Sequence, residues 1–136
     1  MAASPIFIGS IKNGQTTVVN ADSTNNKTLV TAGSSGSKVE TISVTSDDTS
    51  ARVFQIIETI SSVDYILGEV NVPAGAGTDG TTKAVDVLNL TDLPWLRTDG
   101  SNRYLFLASG SVLKVKAKVA VTTAKTVYFV AQYGDY

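Results

Sequence analysis

Residues 111–121, "SVLKVKAKVAV", decide the fold class. Their apolar side chains and their lysines fall on opposite parities, with Leu113, Val115, Ala117, Val119 and Val121 on one and Lys114, Lys116 and Lys118 on the other. Because successive side chains of a strand point to opposite faces, this pattern predicts a strand with one face on the core and one in water. The next segment, "TVYFVAQY" at 126–133, is apolar on both parities, which predicts a strand covered on both sides. The two are predicted to form a hairpin.

Earlier segments repeat the two-residue period. "KVETISVTS" from Lys38 places Ile42 and Val44 on the inward face, and "ARVFQIIETI" from Ala51 places Phe54 and Ile56 together. The link between them, "SDDTS" at 46–50, is rich in turn-forming residues. These segments predict further strands of the same sheet system.

The segment "YILGEVNV" from Tyr65 is also predicted to be a strand, with Ile66, Val70 and Val72 on one face. A glycine inside a strand is typical of a bulge or of a close approach by another part of the chain. Gly68 is therefore predicted to mark one of these two features.

Abundant valine, isoleucine and threonine, with turn signals about every ten residues, predict an all-β antiparallel β-sandwich or jelly roll. We expect one domain over residues 1–136, with 1–8 as an N-terminal arm. One exception to the β pattern is "AVDVLNLTDLPWL", where Val85, Leu88 and Leu93 have helix-like spacing before Pro94. This spacing predicts one short helix near 84–92.

The composition weighs against catalysis. The chain contains no cysteine and no histidine, which removes thiolate nucleophiles, zinc–thiolate sites and the side chain that most often acts as a general base near neutral pH. A glycosidase-type pair of carboxyl groups needs neither residue, but no spacing in the sequence favours one. We therefore expect no enzyme, no cofactor and no metal site.

The charge balance favours a protein partner. Lysine and arginine number 11 against 12 aspartates and glutamates, a net charge of −1, so no overall field would draw the chain to nucleic acid or to an anionic membrane. The apolar runs fall well short of the roughly 20 residues that span a bilayer, and "MAASPIFIGS" lacks the regions of a secretory signal. We expect neither nucleic acid nor membrane as a partner.

The glycine-rich stretch "PAGAGTDGTTK", residues 73–83, raises the question of a phosphate site. Gly75 and Gly80 match the first part of a phosphate-binding loop, G-x-x-x-x-G, in which a lysine should follow the second glycine directly. Here Lys83 comes only after two threonines, and no parallel α/β context surrounds it. We therefore interpret this stretch as a contact loop that is mobile in the isolated protein.

Three other features have a plain interpretation beside a functional one. The lysine row spans about 13 Å of strand, and without interleaved aromatic residues it favours a guard against strand pairing, or a protein contact, over a nucleic-acid site. Trp95, the sole tryptophan, favours a core position over an interface. Asp47 and Asp48 favour turn formation, because adjacent side chains of an extended chain point apart and cannot form a catalytic pair.

Three segments in this order resemble small virion structural proteins of tailed bacteriophages, of the capsid decoration or cement type: "ISVTSDDTSARVFQI", "GEVNVPAGAGTDGTTKAVDVLN" and "LPWLRTDGSNRYLFLASGSVLKVKAKVAVTTAKTVYFVAQYGDY". The resemblance covers residues 42–136. It implies a β-sandwich or jelly roll, made in the host cytoplasm, that sits on the capsid surface as a homo-oligomer, a trimer, and ties neighbouring copies of the major capsid protein together.

Under this resemblance, the contact regions are expected in the arm, in the glycine-rich loop and at the C-terminus. The candidate contact residues are Pro5, Phe7, Gly75, Gly77, Asp79, Lys83, Tyr133 and Tyr136. Two alternatives stay open at this point. One is a tail or head-to-tail component of the virion, and the other is a small carbohydrate-binding β-sandwich, which would need exposed coplanar aromatic rings.

Overall fold

Strands with alternating exposure make up most of the computed structural model, which describes residues 9–136. The predicted arm, with Pro5 and Phe7, lies outside these residues. Within the described part there is one 3-10 turn, at Asn20–Asp22, and the strands are β1 (Ser10–Val19), β2 (Asn26–Thr31), β3 (Ser37–Ser46), β4 (Arg52–Ile60), β5 (Val63–Val72), β6 (Val85–Asp86), β7 (Arg97–Asp99), β8 (Asn102–Leu107), β9 (Val112–Ala117) and β10 (Thr126–Asp135).

The strands form two antiparallel sheets. Sheet I has the order β1-β10-β3-β8-β7, with β6 pairing β3 beside β8, and sheet II has the order β2-β9-β4-β5. The eight long strands thus give β1-β10-β3-β8 against β2-β9-β4-β5, which is the strand order of a jelly roll. The predicted all-β antiparallel sandwich is confirmed, and of the two predicted architectures the strand order is that of the jelly roll.

One hydrophobic core lies between the sheets. Phe54 of sheet II and Phe129 of sheet I meet edge to face, with ring centroids 4.9 Å apart, a geometry that adds about 0.5–1.5 kcal/mol beyond the burial of area. Ile42 and Val44, predicted to face inward, are buried beside this pair. The inward parity of β9 is confirmed as far as Ala117, since Leu113, Val115 and Ala117 are all buried.

The predicted hairpin between the last two long strands is wrong. β9 pairs with β2 and β4 in sheet II, whereas β10 pairs with β1 and β3 in sheet I. Regular pairing of β9 ends at Ala117, so Val119, predicted to face the core, is 61% exposed on the crossing segment. Alternation fixes which face of a strand is buried, but it carries no information on which sheet the strand joins.

β10 is covered on one face only, contrary to the prediction. Val127, Phe129 and Ala131 are buried in the core, while Tyr128 and Val130 on the other parity are 43% and 42% exposed. Apolar residues on both parities therefore mark an unusually apolar outer face here rather than a second covering layer.

Gly68 marks both a bulge and a close approach. Ile56 pairs with Gly68 and Ile57 with Ile66, so Leu67 is the extra residue on β5. A Cβ on Gly68 would clash with the side chain of Leu93 and lie 2.9 Å from the Asp92 carbonyl oxygen. Because the bulge shifts the parity of β5, Ile66 is 60% exposed and does not share the buried face of Val70 and Val72 as predicted.

The short helix predicted near 84–92 is absent from the structure, and a strand and turns take its place. Val85 and Asp86 form β6, after which an Asp86 carboxylate oxygen accepts a hydrogen bond from the Leu88 N–H at 3.0 Å. The Asn89 side-chain oxygen accepts hydrogen bonds from the backbone N–H groups of Thr91 and Asp92, at 3.0 and 2.8 Å. Side-chain acceptors of this kind offer the backbone an alternative to a helix.

Trp95 is not a core residue. Its ring is 46% exposed, and its indole N–H donates a 2.9 Å hydrogen bond to the Leu67 carbonyl oxygen at the bulge of β5. The neighbouring Leu93 and Leu96 are buried instead. The indole satisfies a backbone acceptor that the bulge leaves unpaired on this edge strand.

Candidate functional site

The glycine-rich loop, residues 73–83, is anchored to the end of β3. Ala76 is buried, and its carbonyl oxygen accepts a 2.8 Å hydrogen bond from the Ser46 N–H. The Gly75 N–H donates to the Asp48 carbonyl oxygen at 3.0 Å, and the Thr78 hydroxyl donates to the Ser46 carbonyl oxygen at 2.7 Å. These bonds hold the predicted contact loop against the end of β3 and the turn that follows it.

Asp79 organises the exposed tip of this loop. One carboxylate oxygen accepts hydrogen bonds from the N–H groups of Thr81 and Thr82, at 2.8 and 2.6 Å, and the other accepts from the Thr82 hydroxyl at 2.7 Å. The backbone N–H groups of Thr82 and Thr81 hold the pKa of Asp79 well below its usual range. An anionic phosphate would need such amide donors, but Asp79 already uses them and carries the same sign of charge. The loop geometry therefore does not support a phosphate site.

The positions of the candidate contact residues divide them into two groups. Gly75, Gly77 and Asp79 lie together in the loop, where a Cβ on Gly77 would press on the Thr45 side chain at 2.7 Å, and Lys83 is exposed at the end of the same loop. Tyr136 lies at the other end of β3, where its N–H donates to the Gly36 carbonyl oxygen.

Tyr133 lies near the Tyr136 end but is half-buried and packs against the core. The two groups thus border opposite ends of sheet I. Tyr136 is also half-buried, so burial does not separate the two tyrosines as contact candidates.

Aromatic rings cluster around Tyr136 on the outer side of sheet I. Tyr104 and Phe106 of β8 have ring centroids 5.2 Å apart, and Phe106 lies 6.3 Å from Tyr136. The Lys38 Nζ sits 4.4 Å from the Tyr104 ring centroid and 3.2 Å from a carboxylate oxygen of Glu40. The ring planes are inclined by 68° and 46°, so this cluster does not offer the coplanar platform that a carbohydrate-binding site would need.

Part of the outer face of sheet I, over the neighbouring strands β1, β10 and β3, is uncharged as far as Thr41, beyond which Lys38 and Glu40 of β3 form an ion pair. We name this part the uncharged face; its residues are Ile11, Asn13, Gln15 and Thr17 of β1, Tyr128, Val130 and Gln132 of β10, and Thr41, Ser43 and Thr45 of β3. Nine of the ten are exposed and Thr45 is half-buried. Three of its side chains are large, apolar and exposed, namely Ile11 at 89%, Tyr128 at 43% and Val130 at 42%.

The outer face of sheet II carries the lysine row, and we name it the charged face. The Lys114 Nζ lies 3.9 Å from a carboxylate oxygen of Asp64, and the Lys118 Nζ lies 2.8 Å from one of Glu69. β9 lies between β2 and β4, so the interpretation of these lysines as guards of an edge strand is wrong. Cross-strand carboxylates lie near two of the three lysines, and this partial pairing does not favour a nucleic-acid site.

Two clefts of the described residues contain ionisable side chains. A cleft of 340 Å³ beside β8 contains both carboxylates and cations, among them Asp86, Asp99 and Arg103. A second, of 580 Å³, contains one acidic side chain, that of Glu58. Burial raises the pKa of Glu58, against a hydrogen bond with Ser111. Within 9–136 no group of three histidine, cysteine or acidic side chains could hold a metal ion.

Asp48 is the structurally important residue that the sequence pattern missed. It is 1% exposed, and its carboxylate accepts hydrogen bonds from Arg52 Nε at 2.9 Å, from the Ser50 N–H at 2.9 Å and from the Thr122 hydroxyl and N–H at 2.7 and 3.0 Å. Burial alone would raise its pKa, but the bonds from Thr122, Arg52 and Ser50 outweigh burial and hold the pKa well below its usual range. In the sequence, Arg52 follows Asp48 by four residues, and this spacing was the signal that could have indicated an ion pair with the carboxylate.

Helices long and apolar enough to cross a membrane are absent from residues 9–136.

Comparison with known proteins identifies a fold relative. No protein-family model and no curated protein matches the chain. Among solved structures, the chain is similar to a chain of the "Acidic stable capsid structure of Helicobacter pylori bacteriophage KHP30", with a TM-score of 0.58 and 13% sequence identity over 94% of this chain and 90% of that one. The likeness therefore extends over nearly the whole of both chains, and at this identity it shows a shared fold.

Proposed function

We propose that this chain is a structural virion protein that binds the outer surface of an assembled phage capsid and stabilises it as a decoration or cement protein. The observation that carries the proposal is the fold similarity to a chain of a phage capsid structure, which covers nearly all of both chains. The role is non-catalytic, and the partner is the major capsid protein. The chain acts as a homotrimer on the particle surface, after synthesis in the host cytoplasm.

The physical logic of this role is multivalency. A shell presents many identical surfaces at fixed spacing, so several weak contacts made at once give strong attachment although each contact alone is weak. A rigid β-sandwich with broad faces suits this task, because little conformational entropy is lost when preformed surfaces meet. This role requires a complementary surface and a stable fold. Neither requirement calls for histidine or cysteine, which this chain lacks.

Copy number separates this proposal from a tail or head-to-tail component. A decoration protein covers a shell and is expected at hundreds of copies per particle, whereas the symmetry of a tail or connector limits its components to far fewer. Quantitative mass spectrometry of purified virions, with peptides of this chain measured against those of the major capsid protein, gives the ratio directly. A ratio near that of a connector component would overturn the decoration role and leave the tail alternative.

A further inference from the structure

The two broad faces of the sandwich differ in the cost of removing them from water. The uncharged face contains only amide, hydroxyl and apolar side chains, so its burial leaves no ionised group without solvent. The charged face would have to desolvate Lys114, Lys116 and Lys118 together with Asp64 and Glu69. Removing ion pairs from water has a large desolvation cost, which the attraction between the paired charges often fails to offset.

The uncharged face shares two features with the cores of protein interfaces, the absence of charged side chains and the presence of exposed apolar ones. Tyr128 and Val130 stand side by side along β10, and Ile11 is the most exposed large apolar side chain of the described residues. The cores of protein interfaces are depleted of charged residues and enriched in aromatic ones.

The size of the uncharged face indicates what covers it. Three strands about 4.8 Å apart and seven residues long give a footprint on the order of 300 Å². A stable pair of proteins usually buries about 800 Å² on each partner, so this face alone is too small to hold two copies together in dilute solution. A protein surface that offers the same contact many times compensates for a small contact area.

From these three points we infer that the uncharged face of sheet I docks on the capsid shell, against a flat and uncharged protein surface, while the charged face of sheet II stays in water. The inference rests on the proposed function and adds to it the surface that docks and the chemistry of the partner. Attachment through this face is governed by apolar and amide contacts, so it is insensitive to salt.

The hairpin of β4 and β5 is the competing surface. Val63, Tyr65 and Ile66 are at least half exposed on it. Asp64, however, lies between Val63 and Tyr65, and Glu69 follows on the same strand. The indole N–H of Trp95 also already occupies the Leu67 carbonyl oxygen of this edge. Substitution on the hairpin therefore serves as the control.

Matched substitutions test the inference. Val130→Lys places a charge on the uncharged face, and Val119→Lys makes the same change at a position 61% exposed outside it. Ile11→Lys and Ile66→Lys form a second pair, at 89% and 60% exposure, so neither member should disturb the core. Each variant is first checked for the wild-type melting temperature and circular dichroism. The probe is capsid shells, produced without this chain, from the phage that encodes it, and binding is measured by co-sedimentation at low and high salt.

We expect wild type, Val119→Lys and Ile66→Lys to bind alike, and Val130→Lys and Ile11→Lys to bind at least about tenfold more weakly, as a buried unpaired charge predicts. Wild-type affinity should change less than about twofold with salt. If wild type binds but Val130→Lys and Ile11→Lys bind equally well, or Ile66→Lys alone fails, the docking face is wrong and the proposed function stands. If wild type does not bind at all, both are overturned.

Discussion

Asp48 connects three parts of the chain through one buried carboxylate. It joins the turn after β3 to Arg52 on β4 and to Thr122 on the crossing segment between the sheets. The Asp48 carbonyl oxygen also holds the Gly75 N–H of the glycine-rich loop. A buried charge with this many partners is costly to disturb, because the remaining groups lose their compensation.

Asp48→Asn is expected to lower the free energy of unfolding by about 3 kcal/mol, since it leaves the half-buried Arg52 without its counter-charge. Asp47→Asn is the matched control. Asp47 is exposed and accepts one bond, from the Thr126 N–H, which an asparagine can still accept, so a loss below about 1 kcal/mol is expected. Urea denaturation of the three proteins measures both values, and equal losses would contradict the role assigned to Asp48.

The stability of the chain should fall in acid, and Asp48 should account for part of the fall. Its folded-state pKa lies below the unfolded value of about 3.9. Its stabilising contribution is therefore complete above about pH 4 and is lost as the pH falls from there through the folded pKa. Urea denaturation at pH 7 and at about pH 2.5 should show the gap between wild type and Asp48→Asn narrowing in acid. A gap of constant size would contradict the ionised state of Asp48.

At the scale of the elements, local patterns predicted strand faces better than strand partners. Alternation predicted the inward residues of β3 and β9. A glycine inside a strand predicted the bulge at Gly68. The assignment of β9 and β10 to different sheets was not predicted, because it depends on long-range pairing that no local period encodes. No helix forms near 84–92, because the side chains of Asp86 and Asn89 accept hydrogen bonds from nearby backbone N–H groups. These bonds favour turns over the helix that the apolar spacing predicted.

Gly68→Ala should destabilise the bulge of β5 by about 1–3 kcal/mol, because the added methyl group meets the Leu93 side chain and the Asp92 carbonyl oxygen. Gly9→Ala is the control, since a Cβ there would have an ordinary contact, 3.8 Å from the Asp135 carbonyl oxygen. A change within about 0.5 kcal/mol is expected for the control. Chemical denaturation decides the point, and a neutral Gly68→Ala would mean that residues 92–93 do not pack on β5.

We expect that substitutions in the turn between β4 and β5 can raise the stability of the protein. Ser61 and Ser62 both have positive φ, at 50° and 66°, which is the conformation of a two-residue hairpin turn that favours Asn-Gly. The double substitution Ser61→Asn, Ser62→Gly should raise the free energy of unfolding by about 0.5–1 kcal/mol. Ser109→Gly, at an exposed serine outside the positive-φ set, should be neutral or destabilising. An equal gain from the control would show that turn strain is not the cause.

At the scale of the whole molecule, the two outer faces of the sandwich differ in charge. The candidate loop and Tyr136 border the uncharged face at opposite ends, and this face itself was not anticipated. The strand pattern of residues 126–133 pointed to a covering layer on both sides of β10. Tyr128 and Val130 are exposed in the single chain. A partner that covers the outer side of β10 on assembly would bury them, and this would explain why β10 is apolar on both faces. From the sequence, only the composition predicted a protein partner. The uncharged face could not be predicted, because strands that are distant in the chain assemble it and no single segment contains it.

The central claim, that this chain reinforces an assembled shell, is tested most directly by titrating purified protein onto capsid shells that lack it and measuring both bound copies and the temperature at which the shells break open. The account predicts saturation at hundreds of copies per shell, with a disruption temperature that rises with occupancy. Saturation at a few copies, or full occupancy with an unchanged disruption temperature, would contradict it.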